Sequence, residues 1–270
     1  MKILFLGGGN MANALIGGMV KQDFCASDIH VIDPGPEARQ RLEAAYAVNC
    51  HPDAKTAPDA PDILLLAVKP QQMREAVAPF VGKLGEALVV SIAAGLNMTT
   101  LSRWLGNHPR IVRSMPNTPA LVGKGITGLC AMPAVDEAGK RTAEQILRAV
   151  GNTVWIDDES QMDAVTAISG SGPAYVFLFI EALQQAALDL GFNASQARQL
   201  AIETVQGAAA LAAGSEDSAS VLRERVTSKG GTTEAALKVM QEQGVKEGII
   251  AGCQAAEARG RELGKRLGGE

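Results

Sequence analysis

The sequence predicts an α/β protein: a doubly wound sheet domain at the N-terminus and an all-α domain at the C-terminus. Three observations carry this reading. Up to about Trp155, short apolar runs alternate with amphipathic stretches. The strand-like runs are apolar almost throughout, the pattern of strands covered by helices on both faces. Past Asp158 the texture becomes Ala, Leu, Gln and Glu broken by Gly-containing turns, with no strand pattern. The boundary is therefore expected between Asp158 and Gln161, with a sheet domain over 1–158 and a helical domain over 159–270.

Taken in order, KILFLG (2–7), IHVID (29–33), DILLLAVK (62–69), ALVVSIAA (87–94) and RIVRSM (110–115) read as strands. The segments MANALIGGMVKQ, EARQRLEAAY, QQMREAVAPFV and TTLSRWLGN between them read as helices. TGLCAM and TVWID bracket the helical DEAGKRTAEQILRAVG and are expected to complete the sheet. The most apolar segment, AYVFLFIEAL, is interrupted by Glu181 and is shorter than the roughly 20 residues of a membrane span. It is expected to be a buried helix, and no membrane partner is expected.

The chain has 270 residues, 47% apolar and 20% charged, as in a soluble globular protein. A formal charge of −4 gives no reason to expect nucleic acid as a partner. No aromatic residue lies beyond Phe192, so the helical part must pack on Ala, Leu, Ile, Val and Met. Such a core is thin, and association with a second copy of the chain is expected. Cys25, Cys50, Cys130 and Cys253 show neither CxxC nor metal spacing, which suits reduced thiols in a cytoplasmic protein. The N-terminus reads as a strand and not as a targeting segment.

Two motifs point to anions. LGGGNMA (6–12) follows the first strand and opens a helix, so Gly7, Gly9 and Ala12 fit GxGxxA in its required strand–turn–helix context. Gly7 permits the tight turn, Gly9 the close approach of a pyrophosphate, and Ala12 close helix–strand packing. The first domain is thus expected to be Rossmann-like and to bind NADPH or NADH. Asp33 ends the second strand where an acidic residue holds the ribose 2′-hydroxyl of NAD, and Arg39 lies one turn into the next helix as a rival phosphate partner. Asp33 favours NAD on these residues, with NADP still open. Ala67, Val68 and Lys69, with Ala93 and Ala94, end the next two strands and are expected to meet the cofactor. Asn117, between the prolines of MPNTP, is a further cofactor candidate. VTSKGGTTEAAL (226–237) is a second cradle, running into a helical pattern opened by Glu234.

Other chemistries are missing. His30, His51 and His108 stand apart from these motifs, and no metal-spaced cluster, GxSxG or Walker pattern occurs. No lysine lies between Lys140 and Lys229 to serve as the general base of an alcohol dehydrogenase. Hydride transfer to an already protonated imine needs less acid–base help, because the cofactor carries the hard step.

LGGGNMA, AVKPQQ, SIAAG, IVRSMPNTPA, ISGSGPAYVF and VTSKGGTTEAAL, in this order from end to end, strongly resemble the pyrroline-5-carboxylate reductase family. The resemblance implies reduction of L-1-pyrroline-5-carboxylate to L-proline and a homodimer with interleaved C-terminal helices, sometimes assembled into a decamer. It places Leu6, Gly7, Gly8, Gly9, Asn10 and Met11 on the cofactor. It places Ser228, Gly230, Gly231, Thr232 and Thr233 on the substrate, with Thr233 the catalytic candidate beside the ring nitrogen and Glu159 a looser substrate contact. Asp33 departs from the Ser, Thr or Asn of many members, and Lys229 from their Pro. Two rival readings are a reductase of a six-membered cyclic imine and a non-catalytic dinucleotide-binding redox sensor.

Overall fold

The computed structural model describes residues 1–269, which form two compact units. One comprises Met1–Ser171 together with the residues from Ala256 on, and the other comprises Gly172–Ala255.

In the first unit, β1 (Ile3–Leu6), α1 (Asn10–Lys21), β2 (Ile29–Ile32), α2 (Pro36–Tyr46) and β3 (Asn49–His51) form one wing of the sheet. Then come β4 (Ile63–Leu66), α3 (Met73–Val77), β5 (Leu88–Ser91), α4 (Met98–Trp104) and β6 (Ile111–Met115). β7 (Gly125–Ala131), α5 (Glu137–Arg148) and β8 (Gly151–Trp155) complete it, in the order β3-β2-β1-β4-β5-β6-β7-β8. Neighbours run parallel except β6 and β7, which are antiparallel. A single short 3₁₀ turn, Thr118–Val122, joins those two, and a parallel return would need a much longer crossover. β3 is an addition to the predicted strands. Its three residues, Asn-Cys-His, carry no apolar run for a sequence reading to find.

The continuous apolar runs follow from burial on both faces. Ile3 and Phe5 face α1, α2 and α5 through Leu15, Ile16, Leu42 and Ile146, while Leu4 and Leu6 face α3 and α4 through Met73, Val77 and Leu101. Alternate residues of one strand thus belong to opposite cores.

The sheet-bearing unit runs on to Ser171, past the expected boundary region of Asp158 to Gln161. A short helix α6 (Met162–Val165) and a π-helical turn, Thr166–Gly170, bury Met162 and Ala167 in the sheet unit. Leu267 packs against the same core, which ties the chain's last residues to this unit.

The second unit contains α7 (Gly172–Asp189), α8 (Ala194–Ala213), α9 (Ala219–Arg225), α10 (Thr232–Glu242) and the first part of α11 (Val245–Gly268). Asn193 starts α8 with a full capping box shared with Gln196. AYVFLFIEAL was expected to be buried, and here the structure corrects the sequence. No residue of α7 is buried, and Phe177 and Leu178 are 63% and 67% exposed. Helical backbone runs on from Glu159 to Asp189, and α7 is its last part. By length and composition alone that run could cross a membrane.

Leu65, fully buried at the centre of the sheet, tests the packing. Leu65→Ala is expected to lower the unfolding free energy by about 2–5 kcal/mol, measured by chemical denaturation.

Candidate active site

The glycine turn after β1 is fixed by backbone geometry. Gly7 has φ +100°, its N–H donates to Ile32 O at 2.8 Å, and a Cβ on it would lie 2.7 Å from Ala67 O. Only glycine fits there, on both steric and conformational grounds. Gly9 caps α1 with no side-chain acceptor, and a Cβ on it would meet nothing within 4 Å. The first-turn amides of α1 therefore face open space at a positive helix end, as pyrophosphate binding needs. Asn10 and Met11 begin that helix, with Asn10 exposed.

The loops after β1, β2, β4, β5 and β6 leave one edge of the sheet. The chain order reverses there, between β1 and β4, as it does at the ligand crevice of doubly wound folds. Leu6, buried, accepts a hydrogen bond from Ala67 N–H at 2.8 Å, which joins two of these loops at their roots. Val68 is half-buried and Lys69 exposed at the start of a 3₁₀ turn. Ala93 is buried with its N–H on Ser91 Oγ, and Ala94 is exposed beside it.

Asp33 is clamped. Its Oδ2 accepts Gly8 N–H at 2.7 Å and its Oδ1 accepts Gly35 N–H at 2.8 Å. Arg39 Nη1 donates to the carbonyls of Asp33 (2.6 Å) and Pro34 (2.9 Å), and Arg41 Nη2 donates to Gly8 O at 2.8 Å. Arg41 was not singled out in the sequence, where it reads as one more charge on a helix.

Asn117 is buried and both ends of its amide are engaged. Its Oδ1 accepts Ile126 N–H, and its Nδ2 donates to Ser169 O, each at 3.0 Å. The second bond has a local cause. In an α-helix, Ser169 O would accept the N–H of residue 173, but Pro173 has none. The π-turn and the freed carbonyl meet Asn117 instead. Asn117 thus holds this segment against the sheet, and its Nδ2 keeps one N–H for the expected cofactor contact.

Glu159 points inward. Its Oε1 accepts Met98 N–H at 2.7 Å and Arg113 Nη1 at 3.0 Å, and Arg113 also approaches Asp163 at 3.8 Å. Arg113 is only 6% exposed. The expected substrate contact of Glu159 is left to its second oxygen. Arg113, missed in the sequence because one cation in an apolar strand carries no spacing, is the group that orients it.

In the helical unit, Gly230 at φ +74° turns the chain into α10, whose cap, Gly231, offers no side-chain acceptor. Gly231 N–H closes the turn on Ser228 O at 3.0 Å, and Gly230 N–H is taken by Glu234 Oε2 at 2.7 Å. The first-turn amides at Thr232 and Thr233 stay open to an anion. Thr233 is half-buried, and Ser228 and Thr232 are exposed. A cleft of about 520 Å³ opens at this turn, lined by Arg223, Thr227, Gly230, Gly231, Glu234 and Lys238 among others. Its two cations were not foreseen.

The remaining candidates for chemistry lie elsewhere. His30 Nδ1 and His51 Nε2 contact each other at 3.1 Å, with burial and the neighbouring His51 holding His30 below the ordinary imidazole range. His108 is buried against Ala87 O at 2.8 Å. Among the described residues no group of three or more His, Cys, Asp or Glu side chains could hold a metal, and all four cysteines are free thiols.

Fold, switch point and glycine cradle define a dinucleotide-binding oxidoreductase domain joined to a helical unit with its own anion cradle. A family model for pyrroline-5-carboxylate reductase dimerisation matches residues 159–263, and one for coenzyme F420-dependent NADP oxidoreductases matches residues 2–95. The chain is 44% identical to pyrroline-5-carboxylate reductase of Pseudomonas aeruginosa, over 99% of this chain and 98% of that one. The solved pyrroline-5-carboxylate reductase of Coxiella burnetii superposes with a TM-score of 0.92 at 39% identity, covering 97% of this chain and 98% of that one. The pyrroline carboxylate reductase of Plasmodium falciparum, solved with NADP bound, gives 0.87 at 29% identity and 98% coverage of both chains. This chain belongs to the pyrroline-5-carboxylate reductase family.

Two predictions follow from this geometry. Glu159→Ala leaves the buried Arg113 with one distant carboxylate and is expected to lower stability by roughly 1–3 kcal/mol in denaturant titration. Among the thiols, the hydrogen bond from Ser27 lowers the pKa of Cys25, whereas burial pushes Cys50 up to about 11. A lower pKa means more thiolate, so iodoacetamide at pH 8 should alkylate Cys25 well before Cys50, as read by peptide mass spectrometry.

Proposed function

We propose that this protein reduces L-1-pyrroline-5-carboxylate to L-proline, the last step of proline biosynthesis, with NADPH or NADH as reductant. The observation that carries this reading is the pairing, in one chain, of an open dinucleotide cradle at Gly7–Met11 with an uncapped anion cradle at Ser228–Thr233. The reduced nicotinamide supplies a hydride to C5 of the cyclic imine. The protonated nitrogen becomes the amine of proline, so the protein needs to supply position and electrostatics more than a base.

The substrate carboxylate is received by the amides of Thr232 and Thr233, the hydroxyl of Ser228 and the turn at Gly231. Gly230 contributes its backbone shape, since its N–H is held by Glu234. Arg223 and Lys238, with Glu224 and Glu234 beside them, line the neighbouring cleft at Gly230 and Gly231. Thr233 is the group assigned to the ring nitrogen. Lys69, Ala93 and Ala94 line the cofactor side, Asn117 positions the π-turn, and Glu159 is a substrate contact only through its second oxygen.

The protein works as a homodimer joined through its helical units, with a decamer as the larger assembly. The exposed apolar row of α7, with Leu211, Ile249 and Ile250, supports this, as does the dimerisation family model. Apolar surface on that scale marks an interaction face. Four free thiols agree with a reducing cytoplasm. Neither nucleic acid nor a membrane is a partner in this reading.

Purified protein should oxidise NADH or NADPH when L-1-pyrroline-5-carboxylate is added. Dinucleotide binding without turnover would instead favour a redox sensor. Thr233→Ala should lower kcat/KM by about 10²-fold or more while the dissociation constant of the dinucleotide stays unchanged. The six-membered homologue should turn over more slowly, by roughly 10–200-fold, since one methylene is worth only about 1–3 kcal/mol. Light scattering should give at least a dimer, and a monomer would sink the association.

A further inference from the structure

We infer that Asp33 makes this chain prefer a dinucleotide with a free ribose 2′-hydroxyl, so that NADH binds more tightly than NADPH. The inference rests on the dinucleotide-binding reading above and deepens it.

Asp33 directly follows β2 at the ligand edge of the sheet, where the adenosine ribose of a dinucleotide lies in this fold. A carboxylate there serves two ligands differently. It accepts a hydrogen bond from a 2′-hydroxyl and repels a 2′-phosphate. A mobile carboxylate could turn away from the phosphate, but this one cannot. Gly8 N–H holds Oδ2 and Gly35 N–H holds Oδ1, at 2.7 and 2.8 Å. The side chain is thereby fixed between the glycine turn and the next loop, and rotation about Cα–Cβ would leave both part-buried amides without an acceptor. Each oxygen keeps a lone pair for a hydroxyl donor.

The cations nearby do not reverse this preference. NADP sites of this fold place an arginine on the 2′-phosphate. Arg39 and Arg41 of α2 both touch this loop. Arg39 Nη1 bridges the carbonyls of Asp33 and Pro34 at 2.6 and 2.9 Å, and Arg41 Nη2 is on Gly8 O at 2.8 Å. Both guanidinium groups brace the backbone that holds Asp33. Their remaining N–H groups are free, but a 2′-phosphate that reached them would lie beside the fixed carboxylate, whose charge opposes it.

The test is calorimetric titration of the intact wild-type protein with NADH and with NADPH, in the absence of imine. Wild type should bind NADH at least tenfold more tightly. Asp33→Ser and Asp33→Asn should each raise NADPH affinity at least tenfold and weaken NADH. Asp33→Asn keeps an acceptor for one of the two amides, which guards against a variant that merely unfolds. Arg39→Ala and Arg41→Ala should weaken the two dinucleotides by equal factors. Wild type that binds NADPH as tightly or more tightly overturns the inference and leaves the proposed enzyme standing. So does an unchanged preference in both Asp33 variants, or a selective loss of NADPH in either arginine variant. Failure to bind either dinucleotide would overturn the dinucleotide reading itself.

Discussion

The hydrogen bond from Gly8 N–H to Asp33 Oδ2 joins the two strand ends on which the cofactor edge is built. β1 and β2 are neighbours in a parallel sheet, so their C-terminal loops emerge side by side, but nothing in the ladder fixes how those loops are arranged. The Asp33 carboxylate does so by accepting one amide from each loop. Arg39 and Arg41 close the same arrangement from α2 by donating to the carbonyls of Asp33 and Gly8. The outcome is a small polar frame beside the first-turn amides after Gly9, which are left open. Pre-organisation of this kind lets a site bind a charged ligand with little ordering cost.

A second frame holds the segment that leads out of the sheet unit. Arg113 stands in an apolar strand and is accommodated because Glu159 and Asp163 accept it there. A buried guanidinium without such partners would be strongly unfavourable. Close by, Pro173 removes one helical hydrogen bond and Asn117 accepts the consequence, binding the carbonyl of Ser169. These two arrangements explain why the sheet unit extends to Ser171. The residues from Glu159 to Ser171 are helical in backbone but belong to the sheet by their polar bonds and by the burial of Met162 and Ala167.

Much of the fold was legible in the sequence. β1, β4 and β5 are apolar throughout because both faces are covered, and the glycine turn is unmistakable between a strand and a helix. β3 was not legible, since Asn-Cys-His has no pattern and is held only by pairing with β2. The same holds for the site. Gly7 and Gly230 could be named because positive φ selects glycine. Arg41, Arg113, Arg223 and Lys238 could not be named, because a cation's partners lie far off in sequence and leave no periodic trace. The source of the cover over α7 was not legible, since an apolar helix looks the same whether its cover comes from its own chain or from another.

The sequence by itself determined the alternation of strands and helices, the two glycine-bearing cradles and the family to which the chain belongs. These depend on local backbone preference and on short motifs, which travel with the residues themselves. Only the tertiary structure decided which polar groups remain available. It committed the Asp33 carboxylate to two amides, turned Glu159 toward Arg113, gave the Asn117 amide to Ser169 and Ile126, and closed Gly230 N–H on Glu234. The physical reason is that a hydrogen-bonding group is defined by its nearest partner in space, and these partners lie between 2 and 52 residues away along the chain.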